Sequence, residues 1–274
     1  MNRKLKFSVI LPIYINVNSK LFIKSFNSIL NQSLKPNEII IIFDGPVKKK
    51  ITKFLNLKKK KSSFIRFIFF KKNYGLGHVL NYAVKKCKYE YVARCDADDI
   101  SSKDRFEKQI NYMKRNPEID VLGSNIYEIY NNKIFSKKIM KKNHEDIKKQ
   151  LVFRNPLNHS SIIFKKKKII KSGNYKQMFY FEDYYLWFRM IKKGFKFNNL
   201  PNFLVSMNVD ENFYTRRKGL EYYKFYLKFL KTLYLENHIN IFRLLYCALI
   251  RSPIIIINGN ILKIIYQKFL RNAQ

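Results

Sequence analysis

Paired cysteines are missing from this chain of 274 residues. Cys87, Cys95 and Cys247 are scattered and form no CxxC pair. They fit neither a disulfide framework nor a zinc site, and a reducing cytosol is the simplest setting. No stretch reaches the ~20 apolar residues of a spanning helix. Even Ile239–Leu270 is interrupted by Arg243, Arg251, Pro253 and Lys263. Met1–Lys6 is basic, but Phe7–Tyr14 behind it is short and contains Pro12, so no signal peptide is expected. A full GxGxxG and a Walker loop with GK[ST] are both absent, and so are internal repeats.

Acidic residues are scarce: 19 Asp and Glu stand against 55 Lys and Arg, a formal net charge of +36. One explanation is an anionic partner: nucleic acid, an anionic membrane surface or a phosphorylated substrate. The other is a compositional drift that favours Lys, Ile, Asn, Phe and Tyr together. The lysines are spread along the chain in runs such as Lys58–Lys61 and Lys165–Lys168, the pattern of solvated faces rather than one groove. A surface this basic would still sit readily against an anionic leaflet. What the chain has in quantity is apolar and aromatic: 47% hydrophobic residues, 24 Phe and 19 Tyr. That excludes disorder and supports a full core. The length suits one large α/β domain, alone or with a short appendage.

The first half alternates strand-like and helix-like segments. Phe7–Leu11, Glu38–Phe43, Phe64–Phe70 and Tyr91–Cys95 read as strands; Glu38–Phe43 is apolar and β-branched, as for a strand buried on both faces. Leu21–Leu30, His78–Lys86 and Lys103–Asn116 read as helices, the last with a capping box from Ser101 and Asp104. Such alternation implies a parallel sheet with helices on both faces and ligands at the carboxyl ends of the strands. After Pro117, Val121–Tyr130 and Lys133–Lys138 form a hairpin pattern around Asn131-Asn132. Ser160–Phe164 and Phe203–Val209 are strand candidates, and Glu182–Lys193 is a helix closed by Gly194. Leu220–Leu235 has helical spacing with Lys224, Lys228 and Lys231 on one face. The basic, apolar tail reads either as an amphipathic appendage lying on a leaflet or as helices packed on the domain or another subunit.

The densest local signal is Asp96-Ala97-Asp98-Asp99, directly after an apolar strand. Clustered carboxylates repel one another unless positive charge sits among them. Hard oxygen ligands beside a diphosphate suit Mg²⁺ or Mn²⁺, which would neutralise charge on a departing nucleotide. The plainer alternative is an acidic helix N-terminus, a reading that suits Asp104. Asp44-Gly45-Pro46 ends another strand. Its carboxylate could accept from a nucleobase imide, or the tripeptide could be an ordinary turn. Asn73-Tyr74-Gly75-Leu76-Gly77 precedes a helix carrying Asn81, and its glycines would allow close backbone approach to a nucleotide. Glu182-Asp183 opens the helix through Trp187 and Arg189. A cleft carboxylate with a raised pKa would serve as general base; two acids at a helix N-terminus also stabilise the helix. His159 could orient an acceptor or a phosphate, although a lone histidine is more often structural. Arg216-Arg217 could clamp a diphosphate or form a basic linker.

In chain order these pieces resemble the family-2 glycosyltransferases. Val9–Tyr14 resembles their opening strand, and Ser28–Ser33 the end of the helix that follows. Glu38–Pro46 resembles their second strand and nucleobase acid, and Asn73–Gly77 is similar to their NxGxG-type loop. Tyr91–Ile100 with Arg105–Gln109 looks like the metal-binding stretch and its helix. Phe153–His159 and Phe181–Trp187 resemble a subgroup of bacterial capsule, exopolysaccharide and lipopolysaccharide transferases that includes the amylovoran type. The resemblance covers Phe7–Arg217 and implies an α/β fold of the GT-A kind: a mostly parallel central sheet flanked by helices over residues 1–217, followed by a helical appendage over 218–274. It also implies donor-nucleotide contacts from Pro12, Tyr14, Asp44, Asn73, Gly75, Asn81, Arg94 and Asp96. Asp98, with Asp96, would hold Mn²⁺ or Mg²⁺, and Asp99, Arg105, His159, Arg216 and Arg217 would support the site. Asp183 would be the catalytic base and Glu182 the second candidate. One departure is the single Asp44 before Gly45, where many relatives carry two acids.

The expected activity is metal-dependent, inverting, in-line transfer from a nucleoside-diphosphate sugar, a UDP-sugar first, to a lipid-linked glycan. The expected place is the inner face of a bacterial plasma membrane, bound peripherally from the cytoplasm. A nucleic-acid-binding protein would explain the charge and the aromatics, but not acids placed at strand ends, and the chain has no RNP motif or zinc finger. A nucleotidyltransferase on a similar sheet needs a glycine-rich loop near the N-terminus; Ile13-Tyr14-Ile15-Asn16 contains no glycine. No nucleic-acid partner is therefore expected.

Overall fold

The computed structural model describes residues 5–209, 213 and 216–256. Strands β1 (Phe7–Ile13), β2 (Glu38–Phe43), β3 (Ile65–Phe69) and β4 (Tyr91–Arg94) alternate with helices α1 (Ser19–Leu30), α2 (Lys49–Lys60) and α3 (Leu76–Lys86). Then follow β5 (Ile100–Ser101), α4 (Arg105–Arg115), the hairpin β6 (Ile119–Tyr130) and β7 (Lys133–Lys138), and α5 (His144–Leu151). A 3-10 turn at His159–Ser161 leads into β8 (Ile163–Lys165) and α6 (Lys166–Lys171). The chain continues through α7 (Glu182–Lys192), β9 (Lys196–Asn208), α8 (Gly219–Leu235) and α9 (Ile241–Arg251).

One sheet runs β3-β2-β1-β4-β8-β6-β9-β5, with β7 on β6. Strands β1–β4, β6 and β9 point one way, and β5, β7 and β8 the other, so the sheet is mostly parallel as expected. Its central strands are buried on both faces and sort their side chains by the two-residue period. Val9, Leu11, Ile39 and Ile41 face Phe22, Phe26 and Phe106 on one side. Ile10, Ile40 and Ile42 face Val79, Leu80 and Ala83 on the other. A β1 residue bonds to β4 on one edge at Ile10, and to β2 on the other at Ile13. Pro12 shares the β4-facing edge, and pairing with β4 ends at Ile10–Arg94. Its missing N–H therefore falls where no partner is needed, and β1 runs through it to Ile13 rather than stopping at Leu11.

Other boundaries also move. The Ser101–Asp104 capping box does not form: Ser101 lies in β5, Ser102 Oγ donates to Asp104 at 2.8 Å, and Asp104 pairs with Lys108 at 2.5 Å. Ser160–Phe164 is split between the 3-10 turn and β8, and β9 starts at Lys196 instead of Phe203. The Asn131-Asn132 turn is confirmed, with both residues left-handed at φ 49° and 62°. Helices α2, α5 and α6 were not legible in the sequence; α2 buries only Ile51 and Leu55 beneath a lysine-rich surface. The Lys58–Lys61 run is accordingly the solvated last turn of that helix.

Helix α8 is not a loose tail. Tyr226, Phe229, Leu230 and Leu233 are buried in the same core as Phe181, Tyr184 and Phe188 of the α7 region. Lys224, Lys228 and Lys231 are exposed on its outer side. The stretch 257–270, including Lys263, lies outside the described residues.

The turn after β2 tests this packing. Gly45 has φ +83°, and a Cβ there would lie 2.9 Å from the backbone N of Asn73, whereas Gly194, also left-handed at φ +76°, faces open space. Gly194→Ala should lower the unfolding free energy by about 1 kcal/mol, the left-handed penalty alone. Gly45→Ala should lower it by about 3 kcal/mol, because a backbone clash is added. Urea unfolding of the two variants measures the difference.

Candidate active site

The carboxyl ends of β2, β1 and β4 lie side by side, since β1 pairs with both neighbours in parallel. Each delivers residues singled out in the sequence: Asp44 after β2, Pro12 and Tyr14 at the end of β1, and Arg94 to Asp99 after β4. Tyr14 is 45% exposed and Pro12 half-buried, so an apolar ledge lines this edge.

The acidic loop is held from beneath by two buried guanidinium groups. Arg94 is 3% exposed and Arg105 1%. Arg94 Nη1 donates to Asp96 Oδ2. Burial is the largest single influence and works to lower the Arg94 pKa, but Asp96, Tyr175 and Asp99 together outweigh it and the net direction is up. Arg105 donates to the Arg94 carbonyl (2.8 Å), to Ser101 Oγ (3.0 Å) and to Gln109 Oε1 (3.2 Å), tying the end of β4 to β5 and α4. Ser25 of α1 donates to the Asp96 carbonyl at 2.9 Å. From β9, the Asn208 side chain donates to the Asp98 carbonyl and its backbone N–H to Asp99 Oδ1 at 3.2 Å. The backbone is thus fixed on three sides. The Asp98 side chain is exposed, and Asp99 is buried. Burial, then the Asp96 and Asp98 charges, push the Asp99 carboxyl well above its ordinary range.

Among the described residues, no three His, Cys, Asp or Glu side chains converge into a protein-only metal cage. The donor set fits a different arrangement, in which a hard cation takes one or two carboxylates and the rest of its ligands from phosphate and water. Asp98 is accessible for that. Asp96 already spends Oδ2 on Arg94, and the buried Asp99 Oδ2 has no hydrogen-bond partner.

Asp44 is 6% exposed and accepts from the backbone N–H of Tyr74 (2.7 Å) and of Gly75 (3.1 Å). It therefore fixes the Asn73–Gly77 loop, with a lone pair left on each oxygen for a further donor. The space beside the glycines is already filled. A Cβ on Gly75 would meet the Gln177 side chain at 2.3 Å, and one on Gly77 the Lys176 carbonyl at 2.7 Å. Asn81 donates to the Tyr175 carbonyl at 2.7 Å and accepts from Asn174 at its own carbonyl. Gly75 and Asn81 thus seat residues 174–177, while the Asn73 side chain is exposed at the rim.

That seated segment leads to α7. Asp183 accepts from Asn155 Nδ2 at 2.6 Å and from the Tyr184 N–H at 2.8 Å. Burial raises its pKa against those bonds. Burial also raises Glu182, to about 7, with Asp183 adding to the effect. His159 bonds Tyr175 Oη at 2.9 Å and lies edge-on to Trp187. Burial and then Arg94 hold its pKa well below the ordinary value, so the ring is neutral. Arg94 influences Asp96 and Asp99 on one side and His159, Glu182 and Asp183 on the other, so the acidic loop and the start of α7 both lie within reach of one guanidinium. Arg217 stacks on Phe213 at 3.8 Å and donates to its carbonyl. Arg216 is exposed, and residues 214–215 lie outside the described residues. Asn208, Gln177 and Tyr175 were not picked out as site residues; single polar residues far apart in sequence carry no spacing signal.

The Glycosyl transferase family 2 model matches residues 8–224. The amylovoran biosynthesis glycosyltransferase AmsE of Erwinia amylovora is 32% identical over 222 residues, covering 80% of this chain and 82% of its own. The Escherichia coli UDP-Gal:alpha-D-GlcNAc-diphosphoundecaprenol beta-1,3-galactosyltransferase is 32% identical over 238 residues, covering 86% of each chain. The structure of S. aureus TarS 1-349 in complex with UDP-GlcNAc superposes with a TM-score of 0.66 at 17% identity, covering 84% of this chain and 67% of that one. That structural likeness concerns the fold alone.

The raised Glu182 pKa has a testable sign. The native state holds its proton up to about pH 7 and the unfolded chain only to about 4.5, so stability falls as pH rises through that window. Glu182→Gln should raise the unfolding free energy by about 2 kcal/mol at pH 8 and change it little at pH 4, read by urea unfolding at each pH.

Proposed function

This chain belongs to glycosyl transferase family 2, and from that premise we propose that it transfers a sugar from a UDP-sugar to a lipid-linked precursor of a surface polysaccharide, with inversion at the anomeric carbon. It is a glycosyltransferase of the bacterial exopolysaccharide and O-antigen kind. The donor and acceptor classes follow relatives and neighbours that act on UDP-Gal and a diphosphoundecaprenol-linked sugar or bind UDP-GlcNAc. The observation that carries the reading is the gathering of two acid groups about Arg94, the Asp96–Asp99 loop on the strand side and Glu182 and Asp183 on the helix side.

The donor nucleotide lies along the carboxyl ends of β1, β2 and β4. Tyr14 and Pro12 offer a stacking ledge, and the remaining lone pairs of Asp44 accept from the base. Asn73 and Tyr74, rather than the Gly75 packed against Gln177, border the base, and Asp96 and Arg94 lie toward the ribose and phosphates. Arg216 and Arg217 supply positive charge at the diphosphate. Family members generally use a divalent metal. Here Asp98, with the free oxygen of Asp96, would hold Mn²⁺ or Mg²⁺, and the ion would neutralise charge on the departing diphosphate. Asp183 takes the proton of the acceptor hydroxyl as that oxygen attacks the anomeric carbon in line and the C–O bond to the diphosphate breaks. Asn155 aims the Asp183 carboxylate, and a raised pKa makes it a stronger proton acceptor than an exposed aspartate. His159 is neutral and keeps Tyr175 and Trp187 in place. The catalytic unit corresponds to residues 1–217.

No described helix is long and apolar enough to cross a membrane. A lipid-linked acceptor places the reaction at the cytoplasmic face of the plasma membrane, reached by peripheral binding.

Asp183→Asn keeps size and shape and removes the base. Sugar transfer should fall at least about 100-fold while UDP affinity stays within about twofold of wild type. Single-turnover assays with product NMR also read the anomeric configuration. Near-normal turnover in this variant would remove Asp183 from the role and leave Glu182 as the candidate.

A further inference from the structure

Helix α9 lies beyond the stretch matched by the family model and presents two different faces. Leu244, Cys247 and Ala248 face inward, Cys247 is buried, and Tyr223 Oη of α8 donates to the Ala248 carbonyl at 2.8 Å. The opposite side carries Phe242 (78% exposed), Leu245 (58%), Tyr246 (48%) and Leu249 (74%). Their spacing of three and four residues puts them on one stripe. Ile250 and Ile256 extend the apolar surface. Single exposed apolar residues are ordinary; a contiguous set on one helix marks an interaction surface.

Charge identifies the partner. Between Gly219 and Ile256 the acids are Glu221 and Glu236, set against Lys224, Lys228, Lys231, Arg243 and Arg251. Residues 257–274 add Lys263, Lys268 and Arg271 and no acid. A second copy of a chain at +36 would be repelled, whereas an anionic surface would be attracted. At about 1.5 Å per residue, α9 reaches only about half of a hydrocarbon core, so it can lie along a membrane but not cross it.

We propose that the outer face of α9 docks in the plane of an anionic lipid bilayer, its Phe242–Leu245–Leu249 stripe entering the interface while the exposed lysines of α8 meet the headgroups; Arg251 packs inward on Tyr226 and Arg243 on Phe153, so neither contributes. An in-plane amphipathic helix with this composition needs both contributions, apolar insertion and headgroup charge. The surface alone supports this assignment, and the sugar-transfer chemistry is not required for it.

Co-sedimentation of the full chain with vesicles of phosphatidylglycerol and phosphatidylcholine, compared with phosphatidylcholine alone, tests it. Wild type should partition at least tenfold more strongly onto the anionic vesicles. Phe242→Asp with Leu249→Asp should reduce that partitioning at least tenfold, with the thermal midpoint and UDP affinity unchanged because both side chains are exposed. Lys224→Glu with Lys228→Glu, which leaves α9 untouched, should weaken anionic binding severalfold and leave the remainder less sensitive to added salt than in wild type. No partitioning by wild type would overturn the proposal, as would undiminished partitioning by the folded α9 variant. A wild-type dimer that the α9 variant dissociates would assign the face to a second copy instead. A lowered thermal midpoint with unchanged partitioning would mean that the chain itself covers the face.

Discussion

A buried arginine at the end of β4 is the constraint around which the site is built. Arg94 carries a full charge at 3% exposure, a placement that is costly unless acids surround it. Asp96 pairs with it directly, and Asp99, Glu182 and Asp183 all lie within its field. The dependence is mutual. Without Arg94 the acidic loop and the α7 acids would have little to offset their repulsion. Arg105 takes up the Arg94 carbonyl and secures the same loop mechanically.

The two acid groups about Arg94 come from different parts of the fold and are linked through the 174–177 segment. The ends of β4 and β2 carry the acidic loop and Asp44, and α7 carries Glu182 and Asp183. Asn81, Gln177 and the space at Gly75 and Gly77 lock residues 174–177 against α3. Tyr175 within that segment reaches His159, which packs on Trp187 of α7. The glycines of the Asn73–Gly77 loop thus serve close protein packing, and Asn73 and Tyr74 are left exposed at its rim. A movement of that segment would move Glu182 and Asp183 relative to the acidic loop.

The sequence showed the parallel half of the sheet clearly, because β1, β2 and β4 are apolar on both faces and each ends in a charged or turn-forming residue. The acidic loop and the Glu182-Asp183 helix start were legible for the same reason: charge placed directly against a buried run. The lysine-rich helices α2 and α6 were hidden because drift toward lysine removes the polar–apolar contrast that periodicity needs. The capping box at Ser101–Asp104 was misread because β5 pulls Ser101 into the sheet and Lys108 captures Asp104. The support of the acidic loop by Asn208 joins residues more than a hundred positions apart, which local spacing cannot show.

The central claim is that this loop presents Asp98 to a metal shared with the donor diphosphate. Isothermal titration of UDP, with and without Mn²⁺, into wild type and Asp98→Ala tests it most directly. The account predicts that Mn²⁺ tightens UDP binding at least about tenfold in wild type and that the gain disappears in the variant, which still folds because the Asp98 side chain is exposed. Equal UDP affinity with and without Mn²⁺ in wild type, or a metal effect that survives in Asp98→Ala, would contradict it.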